Sequence, residues 1–397
     1  MLTKNVHITH LEDLVFNQGS IGAHKAINFL RDVRNVLYGR VNNKINIGVK
    51  WDGAPSIFAG IDPTDGKFFV ATKSVFNKNP KIYKTYKEID ADIDSRLAFK
   101  LKLALYEFKK LGIKEGVYQG DLMFLKEDLK IEIIDSIKYI TFHPNTIVYA
   151  IDYESELAEI IKNASIGVIW HTLYTGETFE SMKCSFDCDI KNNMISVPTV
   201  WMNDANYKCY NNIDIENEYY DYLTTILNKS ITLLQSINNN ALNLINKDKL
   251  LLSLISSHSN KKVKNNDNKH IDIEEFIYHV DEHFQKEIDK KIKLSSKIKW
   301  ENDRKIILKF ITDNYIEMKK VFELVYMITY LKRQFICSLN ENILTKTFIK
   351  TNDGFLPTSI EGYVISDKLS NHAVKLIDRI EFSKHNFSTN TIKGWVK

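Results

Sequence analysis

The sequence predicts an α+β protein in which an antiparallel β-sheet domain is interrupted by a large all-helical insertion. Residues 46–213 and 350–397 contain short β-rich runs separated by turn signals, with few strand–helix–strand units. That pattern of short strands and turns favours an antiparallel sheet over a doubly wound parallel one. Residues 214–349 contain neither glycine nor proline, and their apolar residues recur at helical spacing. Residues 1–45 are interpreted as an N-terminal helical segment.

The elements of the first part of the sheet domain follow in order. Apolar spacing predicts a helix from Ala23 to Tyr38, preceded by a short strand or turn at Leu14–Phe16. The Asp62–Gly66 segment between two apolar runs predicts a hairpin. A second helix is predicted at Ser95–Leu111, whose apolar residues fall on one face. Strands are predicted at Ile45–Lys50, Ser56–Ile61, Phe68–Thr72, Gly116–Phe124, Lys138–Phe142, Thr146–Ile151 and Ile166–Leu173.

The insertion and the last strands complete the pattern. The polar tract Ser256–His270 is expected to be a mobile loop. After a turn at Thr351–Gly354, strands are predicted at Gly362–Ile365 and Ala373–Ile377. Helices of the insertion are predicted at Tyr219–Ile237, Ala241–Ser257, Ile271–Ile292 and Trp300–Ser338.

Composition limits the functional classes. With 54 Lys and Arg against 50 Asp and Glu, the net charge of +4 permits nucleic-acid binding without arguing for it. No apolar run approaches the ~18 residues that cross a bilayer, and the first residues lack the apolar core of a signal peptide. Four cysteines do not make a disulfide framework in a chain of this length. We therefore expect a soluble cytoplasmic protein with no membrane partner.

The strongest local signal is Lys50-Trp51-Asp52-Gly53, at the end of a predicted strand. A lysine at a buried strand end can be desolvated and positioned as an amine nucleophile. Taken alone, this pattern is weak, because an ordinary lysine at a strand turn would look the same.

The pattern resembles motif I of the covalent nucleotidyltransferases, the superfamily of DNA ligases, RNA ligases and mRNA capping enzymes. Segments that resemble the other motifs of that family, Ia, III, IIIa, IV and V, follow in the family's order. They are Thr72-Lys73-Ser74, Val117–Leu122, Gly167–Thr172, Ile360–Ile365 with its Glu361-Gly362 pair, and Ala373–Leu376.

The resemblance implies an antiparallel-sheet nucleotidyltransferase (ATP-grasp-like ligase) fold and an ATP-dependent polynucleotide ligase of compact viral or phage type. It implies ATP as cofactor with Mg²⁺ or Mn²⁺, and RNA or DNA strand ends as partner. Lys50 would be the nucleophile, with Asp52 and Lys375 as the other catalytic residues and Lys375 contacting the α-phosphate. Nucleotide contacts would come from Lys50, Lys73, Asp121, Trp170, Glu361 and Lys375, metal ligands from Asp121 and Glu361, and a nucleic-acid contact from Lys73.

Some features depart from the family pattern. Ala54-Pro55 stands where many ligases have a basic residue, and motif V contains Lys375 without a second lysine at the alternate position. Only 22 residues follow Lys375, too few for the OB barrel of most DNA ligases and capping enzymes, which slightly favours RNA or nicked-strand repair. Two alternatives stay open: a non-catalytic nucleic-acid-binding protein on this scaffold and a capping-type guanylyltransferase.

Other residue groups have a functional and an ordinary interpretation. The basic stretch that contains Lys290, Lys291, Lys293 and Lys297 is either a nucleic-acid contact or a solvated surface. His279 and His283 are one helical turn apart, as in some metal sites, but no third ligand is obvious. Incidental thiols are more plausible than a zinc site for the remaining group, Cys184, Cys188 and Cys209.

Overall fold

A computed structural model describes residues 8–39, 44–207, 217–341, 343, 345–368, 372–388 and 390–394. The strands are β1 (Thr9–His10), β2 (Ile45–Lys50), β3 (Ser56–Ile61), β4 (Phe68–Ala71), β5 (Val117–Leu125), β6 (Lys130–Ile134), β7 (Ile137–Phe142), β8 (Ile147–Asp152), β9 (Ile166–Thr175), β10 (Lys183–Ser185), β11 (Val200–Asp204), β12 (Lys346–Thr351), β13 (Gly354–Pro357), β14 (Gly362–Asp367) and β15 (Ala373–Leu376). The helices are α1 (Asp13–Leu37), α2 (Tyr86–Asp92), α3 (Ser95–Phe108), α4 (Glu156–Asn163), α5 (Ile190–Asn193), α6 (Asn217–Ser236), α7 (Asn239–Lys247), α8 (Lys249–Lys264), α9 (Ile273–Asp289), α10 (Leu294–Asp313), α11 (Tyr315–Asn340) and α12 (Arg379–Phe387).

The strands form three sheets. A four-stranded sheet has the order β1-β15-β14-β2, so it joins the two ends of the described chain. A six-stranded sheet has the order β10-β9-β5-β3-β4 with β11 beside β9, and a five-stranded sheet has the order β13-β12-β8-β7-β6. Pairing is antiparallel except between β1 and β15 and between β11 and β9. The mixed α+β class with antiparallel sheets is confirmed, although the strands divide among three sheets.

The four-stranded sheet lies between the helices and the rest of the β structure. Burial alternates along β2, where Ile45, Ile47 and Val49 share a hydrophobic core with the helices. The residues between them face the other way, because successive side chains of a strand point to opposite sides. Beyond β11, the Ala205 carbonyl accepts a 2.6 Å hydrogen bond from the Val49 amide, which connects β2 to the six-stranded sheet.

Helix α1 packs with the insertion instead of forming a separate segment. It contacts α6, α7 and α11, and Leu14–Phe16 are its first turns, not a strand or a turn. The buried carboxylate of Glu12 accepts a 2.7 Å bond from Lys332 Nζ on α11. No helix in the described part of the chain combines the length and apolar character needed to cross a bilayer.

Several boundaries in the insertion differ from the sequence-based expectations. Two helices each replace the predicted Ala241–Ser257 and Trp300–Ser338. The first break is at Asp248, whose side chain caps α8 by accepting from the amides of Leu250 and Leu251. Helix α8 runs to Lys264, so about half of the expected loop Ser256–His270 is helical. The sheet resumes at Lys346, because β12 pairs with β8, so the insertion ends earlier than residue 349.

Candidate functional site

The site begins where β2 ends. Lys50 pairs in register with Gly362, the first residue of β14, and Lys50 Nζ donates a hydrogen bond to Glu361 Oε2. Gly362 has φ +147°, and a Cβ there would lie 2.2 Å from the Leu376 carbonyl oxygen. Only glycine lets β14 approach β15 this closely. The Glu-Gly pair therefore has a structural reason: the glycine brings Glu361 to Lys50 across 311 residues of chain.

Beside this pair lies a cavity of about 220 Å³ between the four-stranded and six-stranded sheets. One wall comes from β2 and β14 and the other from β5 and β9. The lining side chains and backbone include Ile8, Asn46, Gly48, Val49, Lys50, Trp51, Gln119, Asp121, Ile169, His171, Phe186, Ala205, Asn206, Val364 and Ser366. A concave space between sheets that holds a few charged groups is the usual setting of a ligand site.

The charges of the Lys50–Glu361 pair influence each other strongly. Burial alone would lower the pKa of the Lys50 amine, but the charge of Glu361 and its hydrogen bond, with Asp121 and Asp52 beyond, leave that pKa above its usual value. Burial, together with the charges of Asp52 and Asp121, raises the pKa of Glu361 to about 7 against the attraction of Lys50. The amine is therefore protonated at neutral pH, beside a carboxylate that can take a proton.

Asp121 lies next to the lysine because of a second glycine. A Cβ at Gly53 would lie 2.6 Å from the Asp121 Cβ, so the turn after Lys50 passes directly over β5. The Ala54 amide fixes this approach by donating a 2.9 Å bond to the Leu122 carbonyl. On β9, His171 Nε2 lies 3.8 Å from Asp121 Oδ2. Lys50, Asp121 and His171 thus meet at one end of the cavity.

Asp52 is buried and fully engaged with the protein. Its carboxylate accepts bonds from Asn145 Nδ2 and from the amides of Thr146 and Ile147, at 2.7 to 3.0 Å. Its own amide donates to the Tyr149 hydroxyl at 2.7 Å. These contacts attach the turn after Lys50 to β8, so Asp52 positions the nucleophile candidate through the backbone.

The two other lysines predicted for the nucleotide lie nearby but do not line the cavity. Lys375 pairs with Val364, which pairs in turn with Gly48, so Lys375 stands two strands from β2 on the cavity side of the sheet. Burial and the charge of Lys50 lower the pKa of Lys375. Lys73 is exposed where the chain leaves β4, at the end of the six-stranded sheet that carries Asp121.

Trp170 does not belong to the site. Its ring is fully buried on the opposite face of β9, against Phe108 and Tyr118, so a nucleotide in the cavity could not touch it. The strand alternation puts its neighbours Ile169 and His171 in the cavity instead. The sequence did not predict four of the cavity residues, which are Asn46, Trp51, Phe186 and Asn206. Only Asn46 had a signal, because polar residues alternate with apolar ones along β2.

Of the predicted nucleic-acid lysines, Lys290, Lys291 and Lys293 lie at the turn between α9 and α10, and Lys297 lies in the first turn of α10. Lys290 and Lys291 both pair with Glu287, at 2.7 and 3.2 Å. Lys293 and Lys297 have no acidic partner within the described ranges. The four lysines therefore differ in how much charge they offer to a polyanion.

The chemistry of the donors fits a divalent cation at the Lys50 end of the cavity. Asp121 supplies carboxylate oxygens to the cavity, whereas Glu361, predicted as the second metal ligand, does not line the cavity and its carboxylate accepts the bond from Lys50. No group of three or more histidine, cysteine or acidic ligands gathers among the described residues. Mg²⁺ commonly uses one or two carboxylates with substrate phosphates, so Asp121 would hold the cation together with such phosphates. Of the thiols considered for zinc, Cys209 lies outside the described residues.

Comparison with known proteins identifies the family but not its activity. No curated protein and no solved structure matches the chain. The model of DUF6267, a family of unknown function, matches residues 5–391. Since that match spans nearly the whole sequence, the chain belongs to this family of unknown function.

Proposed function

We propose that the chain is an ATP-dependent polynucleotide ligase that works through a covalent lysyl-AMP intermediate on Lys50. The observation that carries the proposal is the meeting of Lys50, Asp121 and Glu361 from three distant parts of the sequence. Lys50 and Asp121 line the same cavity, and Glu361 accepts a hydrogen bond from Lys50. These are the residues at the centres of three motif-like segments, and two glycines are required for their approach.

The residues suit the transfer of a nucleotide to an amine. Lys50 Nζ, which is protonated at rest, first gives one proton to Glu361 across their hydrogen bond, and the freed lone pair then forms a bond to the α-phosphorus of ATP. The bond from that phosphorus to the oxygen that bridges to the β-phosphate breaks, and pyrophosphate leaves with the electron pair. Glu361, whose pKa is about 7, holds the first proton, and the nitrogen that has bonded to phosphorus gives its second proton to the departing pyrophosphate.

The surrounding groups balance the charge of the phosphates. Asp121, together with the phosphate oxygens, would hold Mg²⁺ or Mn²⁺, which neutralises negative charge on the α-phosphate when bound, whereas the Glu361 carboxylate serves the amine of Lys50. Lys375 is half-buried beside the Lys50 region, and its amine would neutralise the same phosphate from the β15 side. Lys73, at the sheet end near Asp121, would contact the outer phosphates or the nucleic acid.

The nucleic-acid part of the proposal depends on the lysines near the turn between α9 and α10. In a ligase, AMP passes from Lys50 to a 5′-phosphate and a 3′-hydroxyl then displaces it, so a strand end must be held beside the cavity. Lys293 and Lys297, which have no acidic partner among the described residues, offer more unpaired charge to a phosphate than Lys290 and Lys291 do. RNA or nicked strands in the cytoplasm are the substrates we favour.

A labelling experiment tests the proposal. The full chain is incubated with α-labelled ATP or GTP and Mg²⁺ or Mn²⁺, then denatured and separated by electrophoresis. We expect an acid-labile label from ATP alone, which is lost in Lys50→Ala and kept in Lys183→Ala, an exposed strand lysine. Label from GTP alone would indicate a capping-type guanylyltransferase. Absence of label from both nucleotides would contradict the proposal.

A second candidate is a non-catalytic protein that binds nucleic acid on the same scaffold. The observation that favours it is the ion pair of Lys50 with Glu361, which raises the pKa of the amine and keeps it protonated. Such a protein would bind the polynucleotide but take no label. The same experiment therefore separates the two candidates.

A further inference from the structure

The end of the cavity opposite to Lys50 is lined by neutral polar groups. Asn46, Asn206 and Ser366 lie there with Phe186, whereas the charged lining residues Lys50 and Asp121 stand at the other end. Ser366 pairs with Asn46 in register, which places both at the far end of β2. Phosphates belong with the cation and the lysines, so a nucleotide would point its base at the neutral end.

The spacing along β2 suits a nucleotide in that orientation. Asn46, Gly48 and Lys50 alternate along one face of the strand and all line the cavity. At roughly 3.3 Å per residue, Asn46 and Lys50 are about 13 Å apart along the strand. Gly48 between them leaves the floor of the cavity without a side chain, where the sugar would lie.

The two asparagine amides at the neutral end are hydrogen-bonded to each other. Asn46 Nδ2 donates to the Phe186 carbonyl at 3.5 Å and to Asn206 Oδ1 at 2.8 Å. A carbonyl only accepts, so it determines which atom of the Asn46 amide is nitrogen. Asn46 Oδ1 and Asn206 Nδ2 remain without a partner among the described residues. The cavity thus presents one acceptor and one donor side by side.

We propose that the Asn46–Asn206 amide pair recognises the nucleobase and selects adenine over guanine. This inference depends on the proposed function, since it assumes that the cavity binds a nucleotide. The N6 amino group of adenine donates and N1 accepts, which complements Asn46 Oδ1 and Asn206 Nδ2. Guanine presents the reverse, an O6 acceptor and an N1–H donor. Turning the amides to suit guanine would aim the Asn46 oxygen at the Phe186 carbonyl, and two oxygens repel.

The test compares binding of ATP and GTP by the full chain in Mg²⁺, using isothermal titration calorimetry. The wild type should bind ATP at least tenfold more tightly than GTP, because a mismatched base leaves buried polar groups unpaired. Asn206→Asp keeps the bond from Asn46 but replaces the donor with an acceptor. Its ATP-to-GTP ratio should fall at least tenfold, while Asn163→Asp, on the exposed end of α4, should keep the wild-type ratio.

The charge added by Asn206→Asp repels ATP and GTP alike, so this repulsion cancels in the ratio of the two affinities. Equal affinities in the wild type, or an unchanged ratio in Asn206→Asp, would overturn base recognition by this pair. Label on Lys50 from ATP and GTP alike would also overturn it while leaving nucleotidyl transfer intact. Selective binding of ATP without label on Lys50 would support base recognition and contradict nucleotidyl transfer. If neither nucleotide binds, both proposals are wrong.

Discussion

Two buried histidines make the helical insertion sensitive to acid. His258 on α8 and His279 on α9 are nearly fully buried with ring centroids 4.9 Å apart. Neither ring has a hydrogen-bond partner in the described part of the chain. Burial lowers the pKa of His258 to about 4, helped by His279, Lys262 and Lys261. Burial and nearby lysines, Lys261 first among them, also lower the pKa of His279.

The size of the effect follows from the change in pKa on unfolding. The folded protein favours the neutral ring of His258, whereas the unfolded chain takes up a proton near pH 6.5. Stability from this group is therefore complete at high pH and declines as the pH falls from 6.5 towards 4. Linkage gives a loss of about 2 kcal/mol between pH 8 and pH 5, and about 3 kcal/mol below pH 4.

Replacing the ring isolates this contribution. His258→Phe keeps an aromatic ring against Phe276 and removes the titration. We measure the free energy of unfolding at pH 8 and pH 5 by urea denaturation, followed by circular dichroism of the helices. The wild type should lose about 2 kcal/mol more than the variant between the two pH values. His24→Phe, the same change at an exposed position on α1, controls for composition.

Acid effects from other groups are common to the wild type and the variant, so they cancel in the comparison. The reasoning would be refuted by equal losses of stability in the wild type and His258→Phe. A greater loss in the variant would show that the ring is protonated in the folded state.

Three further predictions concern the site and the lysines near the turn between α9 and α10. Glu361→Gln should slow label incorporation on Lys50 by roughly 10²- to 10⁴-fold, because an amide takes no proton from the amine, and an unchanged rate would contradict that role. Gly53→Ala should lower the free energy of unfolding by about 1–3 kcal/mol in urea denaturation and reduce labelling, because the new Cβ meets Asp121. A variant as stable as the wild type would show that the turn is free to move. Replacing Lys293 and Lys297 by alanine should reduce the slope of log affinity for a polynucleotide against log salt concentration by up to about 0.9 per lost contact. Replacing Lys290 and Lys291 should reduce that slope less, because both pair with Glu287. Equal effects would argue against a phosphate contact at Lys293 and Lys297.

Much of the β structure was predictable because its pattern is local. β2, β3 and the hairpin to β4 lie where alternation and the Asp62–Gly66 turn predict them. The strand β6 was not predicted. Its Ile131 and Ile133 are exposed on an edge strand, so apolar alternation there does not indicate a core face. How strands divide among sheets depends on pairing between distant segments, which one sequence does not reveal.

The helical insertion shows the limits of spacing arguments. Its stripes continue across Asp248 and Asn314, so spacing alone predicts one long helix at each place. At Asp248, the side chain accepts hydrogen bonds from two backbone amides, and a new helix begins there. Apolar spacing does not show this, because it contains no information on side chains that compete for backbone hydrogen bonds. The packing of α1 against α7 and α11 depends on tertiary contacts and had no signal in the sequence.

At the site, the sequence was informative for residues that glycine constrains. Gly53 and Gly362 mark close approaches of backbone, and Lys50, Asp121 and Glu361 lie beside them. Trp170 was misassigned because its neighbours, not the aromatic ring, face the cavity. The asparagines at the neutral end come from β2 and from the chain after β11, and only the folded structure brings them together.

The order of the four-stranded sheet has a consequence for synthesis of the protein. β2 emerges from the ribosome early, whereas Glu361 and β14, its neighbours in the sheet, follow 311 residues later. At ~5–20 residues per second, β2 waits roughly 15–60 s with one edge unpaired. Nascent chains stopped before β14 would keep the Lys50 amine without its carboxylate partner and an open strand edge that invites aggregation. The Lys50–Glu361 pair would thus form only in chains whose last strands have been translated.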